Sequence, residues 1–229
     1  GRADRAESPQ PSLSSFWLND QGDDTDADLV GPDPQLAGQH VVVLDGEDDF
    51  VKMIRHILGV LGMTSSVVRH EDYTPAAFDG ADLVIVGPGP GDPRDDADPK
   101  MGQLRAAVAT CSRTSARSSV SAWDISAVPP ARAAVGDEGH HLPGTQAAVP
   151  LTLGGRTRTE RVGFYNTFVG RVPESGLPDG VTVDTDPVSG DIHAIHGPHF
   201  EGIQFHAESI LTERGFDVLH DLVRTVLVR

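Results

Sequence analysis

The sequence predicts an α/β fold: an open, doubly wound, mostly parallel sheet with a small antiparallel portion. Residues 40–45 form a continuous, largely β-branched run, which is typical of a strand buried on both faces. An amphipathic helical pattern and two further strand-like runs follow, in the order that builds right-handed crossovers. A loop rich in glycine and proline comes directly after the third strand, where open α/β sheets bind ligands.

The remaining elements are predicted in chain order. A helix begins near Asp48 or Asp49, either of which can cap it, and it ends at Leu61 and Gly62. Strands are expected over 65–69 and 81–86, and a second helix over 101–109. Short strands dominate after about residue 151, and an amphipathic helix over 214–228 closes the chain.

Composition narrows the class of protein. The formal net charge of -16 over 229 residues argues against nucleic acid or an anionic membrane surface as a partner. No apolar run is long enough to span a bilayer, and no signal peptide opens the chain. The single cysteine excludes an internal disulfide and indicates a reducing, cytoplasmic compartment.

The chain divides into two parts by composition. Residues 1–37 are rich in Asp, Ser, Pro and Gly and are predicted to be an acidic linker or tail. Residues 38–229 are predicted to form one domain, with an aberrant segment at about 111–143. Because the first residue is Gly1 and not Met, we interpret the chain as a piece of a longer polypeptide.

A histidine and a carboxylate near the C-terminus are the first candidate site residues. His206 and Glu208 are two residues apart in an apolar run, so a strand would place both on one face. Glu208 could then hold one ring nitrogen of His206 while the other faces a nucleophile, as in a Cys-His-Glu triad. The alternative is an ordinary strand in which polar residues alternate with apolar ones.

The second candidate is the loop over 87–93, Gly-Pro-Gly-Pro-Gly-Asp-Pro. Gly89 and Gly91 would let the backbone approach a ligand and turn N–H groups toward a developing oxyanion. The alternative is a tight turn without chemistry.

Taken with Gly-Thr-Gln at 144–146 and Val-Gly-Phe-Tyr-Asn-Thr-Phe at 162–168, these motifs resemble the class I (triad) glutamine amidotransferases. The likeness is greatest to the glutaminase part of anthranilate synthase and of the phenazine-pathway aminodeoxyisochorismate synthase. It covers residues 39–228 apart from one gap. The resemblance implies that His206 is the general base, Glu208 its orienter, and Gly89 part of the oxyanion hole. It also implies that Gly91 lies at the substrate and that Asn166 and Thr167 contact glutamine through the main chain.

The family's reaction begins when a cysteine thiolate attacks the carboxamide of glutamine. Ammonia leaves, water hydrolyses the thioester, and the ammonia passes to a chorismate-using synthase. The resemblance therefore implies glutamine as substrate and a synthase domain as partner, in the same chain or another. It implies no cofactor in this domain and Mg²⁺ in the synthase.

The gap falls where the family has Cys-Leu-Gly-His-Gln at a strand-to-helix turn. This motif is expected near Ser121 and Ala122, but the segment is rich in Ser, Arg and Ala and is a poor candidate for a buried central strand. Codons offer one explanation. Ser-Ala-Trp-Asp-Ile-Ser at 121–126 can be encoded by TCTGCCTGGGACATCAGC, which read from its third base gives Cys-Leu-Gly-His-Gln. We hypothesise a shifted reading frame that is restored by about Gly144; the alternative is a real, inactive domain.

Other candidates carry less weight. Cys111 lacks a glycine elbow and a preceding apolar strand, which favours an inert thiol, and Ser121 would be poorly activated by a histidine tuned for a thiol. No metal site is predicted, because no Cys or carboxylate cluster joins His193, His196 and His199 in the sequence. An unrelated α/β hydrolase is disfavoured because the chain lacks Gly-x-Ser-x-Gly.

Overall fold

The computed structural model describes residues 31–87, 89–114, 118–120, 135–136 and 143–228. The helices in this part of the chain are α1 (Val51–Val60), α2 (Pro99–Thr114) and α3 (Gly215–Leu227). The strands are β1 (His40–Asp45), β2 (Thr64–Arg69), β3 (Leu83–Val86), β4 (Ser118–Val120), β5 (Val135–Gly136), β6 (Thr145–Leu153), β7 (Arg156–Phe164), β8 (Val169–Gly170), β9 (Thr182–Thr185), β10 (Ile192–His196) and β11 (Phe200–Ile203). Short 3-10 turns lie at His70–Asp72 and Pro75–Phe78.

One seven-stranded sheet in the order β2-β1-β3-β4-β11-β10-β9 forms the centre of the fold. β1 pairs in parallel with β2 and β3, and β4 pairs in parallel with β3 and β11. β10 runs antiparallel to both β11 and β9, while β6 and β7 form a separate antiparallel hairpin. The predicted fold class, a mostly parallel α/β sheet with a small antiparallel portion, is confirmed.

Both faces of the sheet are covered, as the continuous apolar run of β1 predicts. Val41 and Val43 face a large cluster that includes α1, α3 and the β6–β7 hairpin. Val42 and Leu44 face a second cluster that includes α2. Alternate residues of β1 therefore pack into different layers, and both sides of the strand are buried. For this reason its sequence does not alternate between apolar and polar residues.

The expectation that the Ser-rich segment contributes no central strand is wrong for Ser118–Val120. β4 pairs with β3 through Ser118 and Ser119, and with β11 through all three of its residues. A ladder is built from backbone N–H and C=O groups, so side-chain composition does not by itself prevent pairing. The sheet is therefore continuous across its centre.

The prediction that Asp48 or Asp49 caps the first helix is wrong, because the N-cap residue of α1 is Phe50 and no side chain caps the helix there. The Asp48 carboxylate accepts a hydrogen bond from the Phe50 N–H at 2.8 Å, just ahead of α1, whereas Asp49 forms an exposed ion pair with Lys52. At the other end Gly62 has φ +83°, a conformation that glycine adopts without steric cost. The turn places β2 beside β1.

The described part of the chain begins at Gly31, ahead of the predicted domain start at residue 38. Leu36 is fully buried in the larger cluster. Asp33 accepts hydrogen bonds from His220 Nε2 at 2.7 Å and from Arg224 Nη1 at 3.0 Å. These contacts fasten residues 31–37 to α3.

Candidate active site

His206 and Glu208 form a buried hydrogen-bonded pair just beyond the carboxyl end of β11. His206 Nδ1 lies 2.7 Å from Glu208 Oε1, and each side chain is only 1% exposed. The expected contact is present, but its predicted geometric basis was wrong. β11 ends at Ile203, His206 makes only an isolated bridge to Gly163, and Glu208 lies in a turn. The turn, not the alternation of a strand, brings the two side chains together.

The backbone of His206 is fixed by the neighbouring hairpin. Its N–H donates to the carbonyl of Gly163 at 3.0 Å, and its carbonyl accepts a hydrogen bond from the Thr212 hydroxyl. That hydroxyl in turn accepts from the Gly163 N–H at 3.0 Å. A Cβ at Gly163 would lie 2.5 Å from Leu211 Cβ, so this close approach requires glycine.

A cleft of about 260 Å³, open to solvent, lies at the carboxyl edge of the sheet. His206 and Glu208 are not among its lining residues, but Tyr165, which contacts the ring of His206, is one of them. The walls of the cleft are the glycine-rich loop after β3, the first turns of α2 and the loop between β7 and β8. All four predicted substrate-binding residues line it, namely Gly89, Gly91, Asn166 and Thr167. This is the location expected of a ligand site in an open α/β sheet.

The glycine-rich loop packs so closely on the loop after β1 that side chains are excluded. A Cβ at Gly89 would lie 1.9 Å from the carbonyl oxygen of Gly46. Gly91 has φ +147° and is strained for any other residue. The loop therefore presents main chain, not side chains, to the cleft at these two positions.

Asn166 brings a buried acceptor to the cleft wall. The residue is 4% exposed, and its Nδ2 donates to the carbonyl of Phe168 at 2.8 Å. Its Oδ1 is buried and has no hydrogen-bond partner among the residues that the structure describes. A buried acceptor without a partner costs about 1–3 kcal/mol, so such an atom favours a ligand that donates to it.

The strand that precedes the expected nucleophile position in the sequence lies at the centre of the sheet. β4 ends at Val120, which is in register with Gly202 of β11, four positions before His206. Ser121 and Ala122, near which the family's cysteine is expected, lie outside the described residues. The end of β4 is thus next to β11, which leads to the histidine, and to β3, which leads to the glycine loop.

Cys111 lies elsewhere. It is 3% exposed and packs in the cluster between the sheet and α2. Met101 and Leu104, near the start of α2, line the cleft, and the helix runs away from it. At 1.5 Å per residue, Cys111 is about 15 Å farther along the helix axis than Met101. That position is remote from the cleft.

The three histidines considered as a metal site have different environments. His193 is buried and packs on the ring of Phe164, with centroids 5.5 Å apart, while His196 pairs with Asp184 and Glu201. His199 is exposed. Within the described ranges, no group of three or more His, Cys, Asp or Glu side chains is arranged to hold a metal ion.

Three residues at the site escaped the sequence analysis. Gln204 lines the cleft, and Phe50 and Tyr165 contact the ring of His206. Phe50 had a helix-like spacing that assigned it to the apolar face of α1, and Tyr165 stood inside a motif without a role. Their contacts join segments that are distant in the sequence, so no local pattern marks these residues.

Comparisons with known proteins find similar sequences and a similar fold. No protein-family model matches the chain. A Pseudomonas fluorescens protein named "Anthranilate synthase, phenazine specific" is 35% identical over 233 aligned positions, which cover 94% of this chain and 33% of that protein. The chain thus spans about one third of the length of this relative. Anthranilate synthase component 2 of Mycobacterium tuberculosis is 29% identical over 209 positions, covering 78% of this chain and 79% of that protein.

A solved glutamine amidotransferase from Thermotoga maritima has the same fold. It superposes with a TM-score of 0.66 at 9% identity, covering 83% of this chain and 99% of that one. The chain therefore has the fold of a solved glutamine amidotransferase and a sequence similar to proteins named anthranilate synthase. The described residues from the first strand to α3 make up this fold. None of its described helices has the length and apolar character needed to cross a bilayer.

Proposed function

We propose that this chain is a class I glutamine amidotransferase domain, the glutaminase part of a chorismate-using synthase, to which it supplies ammonia. We propose further that its activity is impaired, because the Cys-Leu-Gly-His-Gln motif is absent from the sequence. The observation that carries the first proposal is the buried His206–Glu208 pair, 2.7 Å apart, whose histidine ring contacts Tyr165, a lining residue of the cleft walled by the glycine loop.

The geometry supports the following assignment of roles. Glu208 accepts a hydrogen bond from the Nδ1–H of His206, so that Nε2 is the basic nitrogen that removes the proton of a thiol. The thiolate attacks the carboxamide carbon of glutamine, and main-chain N–H groups of the loop at Gly89 stabilise the oxyanion. The imidazolium then returns the proton to the departing nitrogen, which leaves as ammonia. Water, deprotonated by the same imidazole, hydrolyses the thioester to glutamate.

Substrate binding is assigned to the opposite wall. Asn166 Oδ1, buried and without a partner among the described residues, accepts a hydrogen bond from an amino or amide N–H of glutamine. The exposed Thr167 contributes main-chain contacts. Gly91 presents only main chain at its position in the facing wall.

The partner in this proposal is a synthase domain that uses chorismate and holds Mg²⁺. The names of the relatives support an anthranilate or phenazine-pathway synthase. The length of the Pseudomonas relative, three times the aligned part, agrees with a partner domain in the same polypeptide in that protein. A reducing, cytoplasmic setting fits the thiol chemistry.

A second candidate function is a catalytically silent domain that binds or scaffolds the synthase. Two observations favour it: the missing motif, and the burial of Cys111 in a helix remote from the cleft. A silent domain would keep the fold and the cleft but would release no ammonia.

Restoring the motif tests both candidates. We would replace residues 122–126 by Cys-Leu-Gly-His-Gln and measure glutamate release from glutamine, with Ser-Leu-Gly-His-Gln as the matched control. The glutaminase proposal predicts little release by the chain as it stands, release by the cysteine variant and little by the serine variant. Sequencing the gene tests the reading-frame hypothesis, because codons that cannot yield the motif in another frame would exclude it.

Labelling with an electrophilic glutamine analogue adds a direct readout. Modification should occur at the introduced cysteine and not at Cys111. A folded cysteine variant that neither reacts nor releases glutamate would favour the silent domain.

A further inference from the structure

The imidazole of His206 lies against two aromatic rings from different parts of the chain. The ring centroid of Phe50 is 4.4 Å away with an interplanar angle of 48°, and that of Tyr165 is 4.8 Å away with an angle of 78°. Phe50 and Tyr165 also contact one another, with centroids 5.3 Å apart. The three rings form a closed triangle in which the histidine is fully buried.

Tyr165 is tied to the same turn that carries Glu208. Its hydroxyl lies 2.8 Å from the hydroxyl of Ser209, which is 2% exposed. The N–H of Ser209 donates in turn to the carbonyl of His206 at 3.3 Å. Tyr165 also lines the cleft, so a single side chain contacts both the cleft and the histidine.

Phe50 braces the ring from the start of α1. Its N–H is held by the Asp48 carboxylate, which fixes the position at which the side chain leaves the backbone. Phe50 does not belong to the described residues that line the cleft. It therefore acts on the histidine without touching the volume in which a substrate would bind.

We propose that Phe50 and Tyr165 are positioning residues, which hold the His206 imidazole in the orientation in which Nδ1 reaches Glu208. The torsion that orients a histidine ring is broad and roughly two-fold, so a half-turn would replace Nδ1 by a carbon and break the pair. The hydrogen bond to Glu208 does not by itself prevent this rotation if there is empty space beside the imidazole. The rings of Phe50 and Tyr165 fill that space. This role rests on the proposed function only in so far as His206 acts as a base.

The orientation of the ring can be measured without catalysis. In protein labelled with ¹⁵N on histidine, the two ring nitrogens of His206 should give distinct signals, with the proton on Nδ1. In Phe50→Leu the ring can rotate, so the chemical shifts of the two nitrogens should move toward a common average. Tyr165→Phe, which loses only the hydroxyl bond to Ser209, should show a smaller shift in the same direction. Ser209→Ala removes the same bond and also the one that the Ser209 hydroxyl accepts from the Leu211 N–H at 3.1 Å, so its effect should be at least as large as that of Tyr165→Phe.

The other tyrosine provides a matched control. The hydroxyl of Tyr73 bonds to that of Thr110 at 2.9 Å, and its ring packs on Phe78 at 5.2 Å, in the layer of α2. Tyr73→Phe removes an equivalent bond away from His206 and should leave the His206 signals unchanged. A distinct Nδ1–H signal that persists in both Phe50→Leu and Tyr165→Phe would overturn the proposal, as would an equal change in Tyr73→Phe.

Catalysis provides the second readout, in protein carrying the restored Cys-Leu-Gly-His-Gln motif. Phe50→Leu should lower kcat by about tenfold to a hundredfold, the range expected when a catalytic group loses its alignment, with KM for glutamine within about twofold. A change in KM alone would contradict a positioning role. If the restored protein has no glutaminase activity, the proposed function fails, while the ¹⁵N signals still decide whether the two rings hold the histidine.

Discussion

Raising the pH from about 6 to about 10 should destabilise the fold through one largely buried histidine, His196 of β10. Its Nδ1 is hydrogen-bonded to Glu201 of β11, and its Nε2 lies 3.1 Å from Asp184 of β9. Burial alone would lower the pKa of His196, but the hydrogen bonds to these two carboxylates outweigh it and raise the pKa to about 9. The protonated ring thus joins three adjacent strands at the antiparallel end of the sheet.

The size of the effect follows from the pKa in the two states. His196 changes from its ordinary pKa of 6.5 in the unfolded chain to about 9 in the folded one. At 1.36 kcal/mol per pH unit this is at most about 3 kcal/mol. The side chain keeps 12% exposure, so we expect about 2 kcal/mol. Because the folded state holds the proton more tightly, this contribution is fully present below pH 6.5 and is lost as the pH rises through about 9.

Urea unfolding at a series of pH values measures this loss. Asp184→Asn is the matched variant, because it keeps the shape of the side chain and removes one of the two charges that favour the imidazolium. Its stability should fall by roughly half as much over the same range, and the midpoint of the fall should lie at lower pH. A free energy of unfolding that changes equally in both proteins, or rises toward pH 9, would refute the role assigned to His196.

Three further predictions concern the attachment of residues 31–37, a close backbone contact and the thiol. Asp33→Asn should lower the free energy of unfolding by about 1–3 kcal/mol in urea, because the charge that pairs with His220 and Arg224 is lost. Since the pKa of Asp33 is lowered in the fold, its contribution disappears as the pH falls below 3.8, so the variant should lose less stability in acid; an equal loss would contradict this. Gly215→Ala, whose Cβ would lie 1.8 Å from the Ala207 carbonyl oxygen, should cost about 1–3 kcal/mol in thermal unfolding. Gly59 lies in a helix, and a Cβ added there would meet no atom within 4 Å, so Gly59→Ala should instead stabilise the fold by roughly 0.5–1 kcal/mol. Equal effects of the two substitutions would refute the packing argument. The buried Cys111 thiol should react with a small thiol reagent only as fast as the protein unfolds. If the folded protein reacts as fast as a solvent-exposed thiol does, the burial of Cys111 is contradicted.

The elements that the sequence predicts well are those whose pattern reflects burial. Residues 41–44 of β1 and all of β3 are apolar because both faces of the sheet are covered, and α3 repeats its apolar residues at helical spacing over a single buried face. α2 extends to Thr114, beyond the predicted end at 109, because the last turn lacks an apolar repeat that would reveal it. β4 was missed because pairing uses the backbone, and its Ser-rich sequence carries no signal of burial.

The candidate site was predictable in its residues more than in its geometry. His206, Glu208 and the glycines of the loop stand out by type and spacing, and the structure brings them to one edge of the sheet. The turn that joins His206 to Glu208 and the contact of Phe50 with the imidazole depend on packing between distant segments. Such contacts leave no local pattern, so they cannot be predicted from a single sequence.

The short strand β4 is held in the sheet through its peptide groups. Its hydrogen bonds to β3 and β11 use backbone N–H and C=O groups, and proline is the one residue type that lacks the N–H. The order of strands at the centre of the sheet therefore does not require an apolar sequence at β4. A domain of this architecture can accordingly stay folded while the residues of a single motif change.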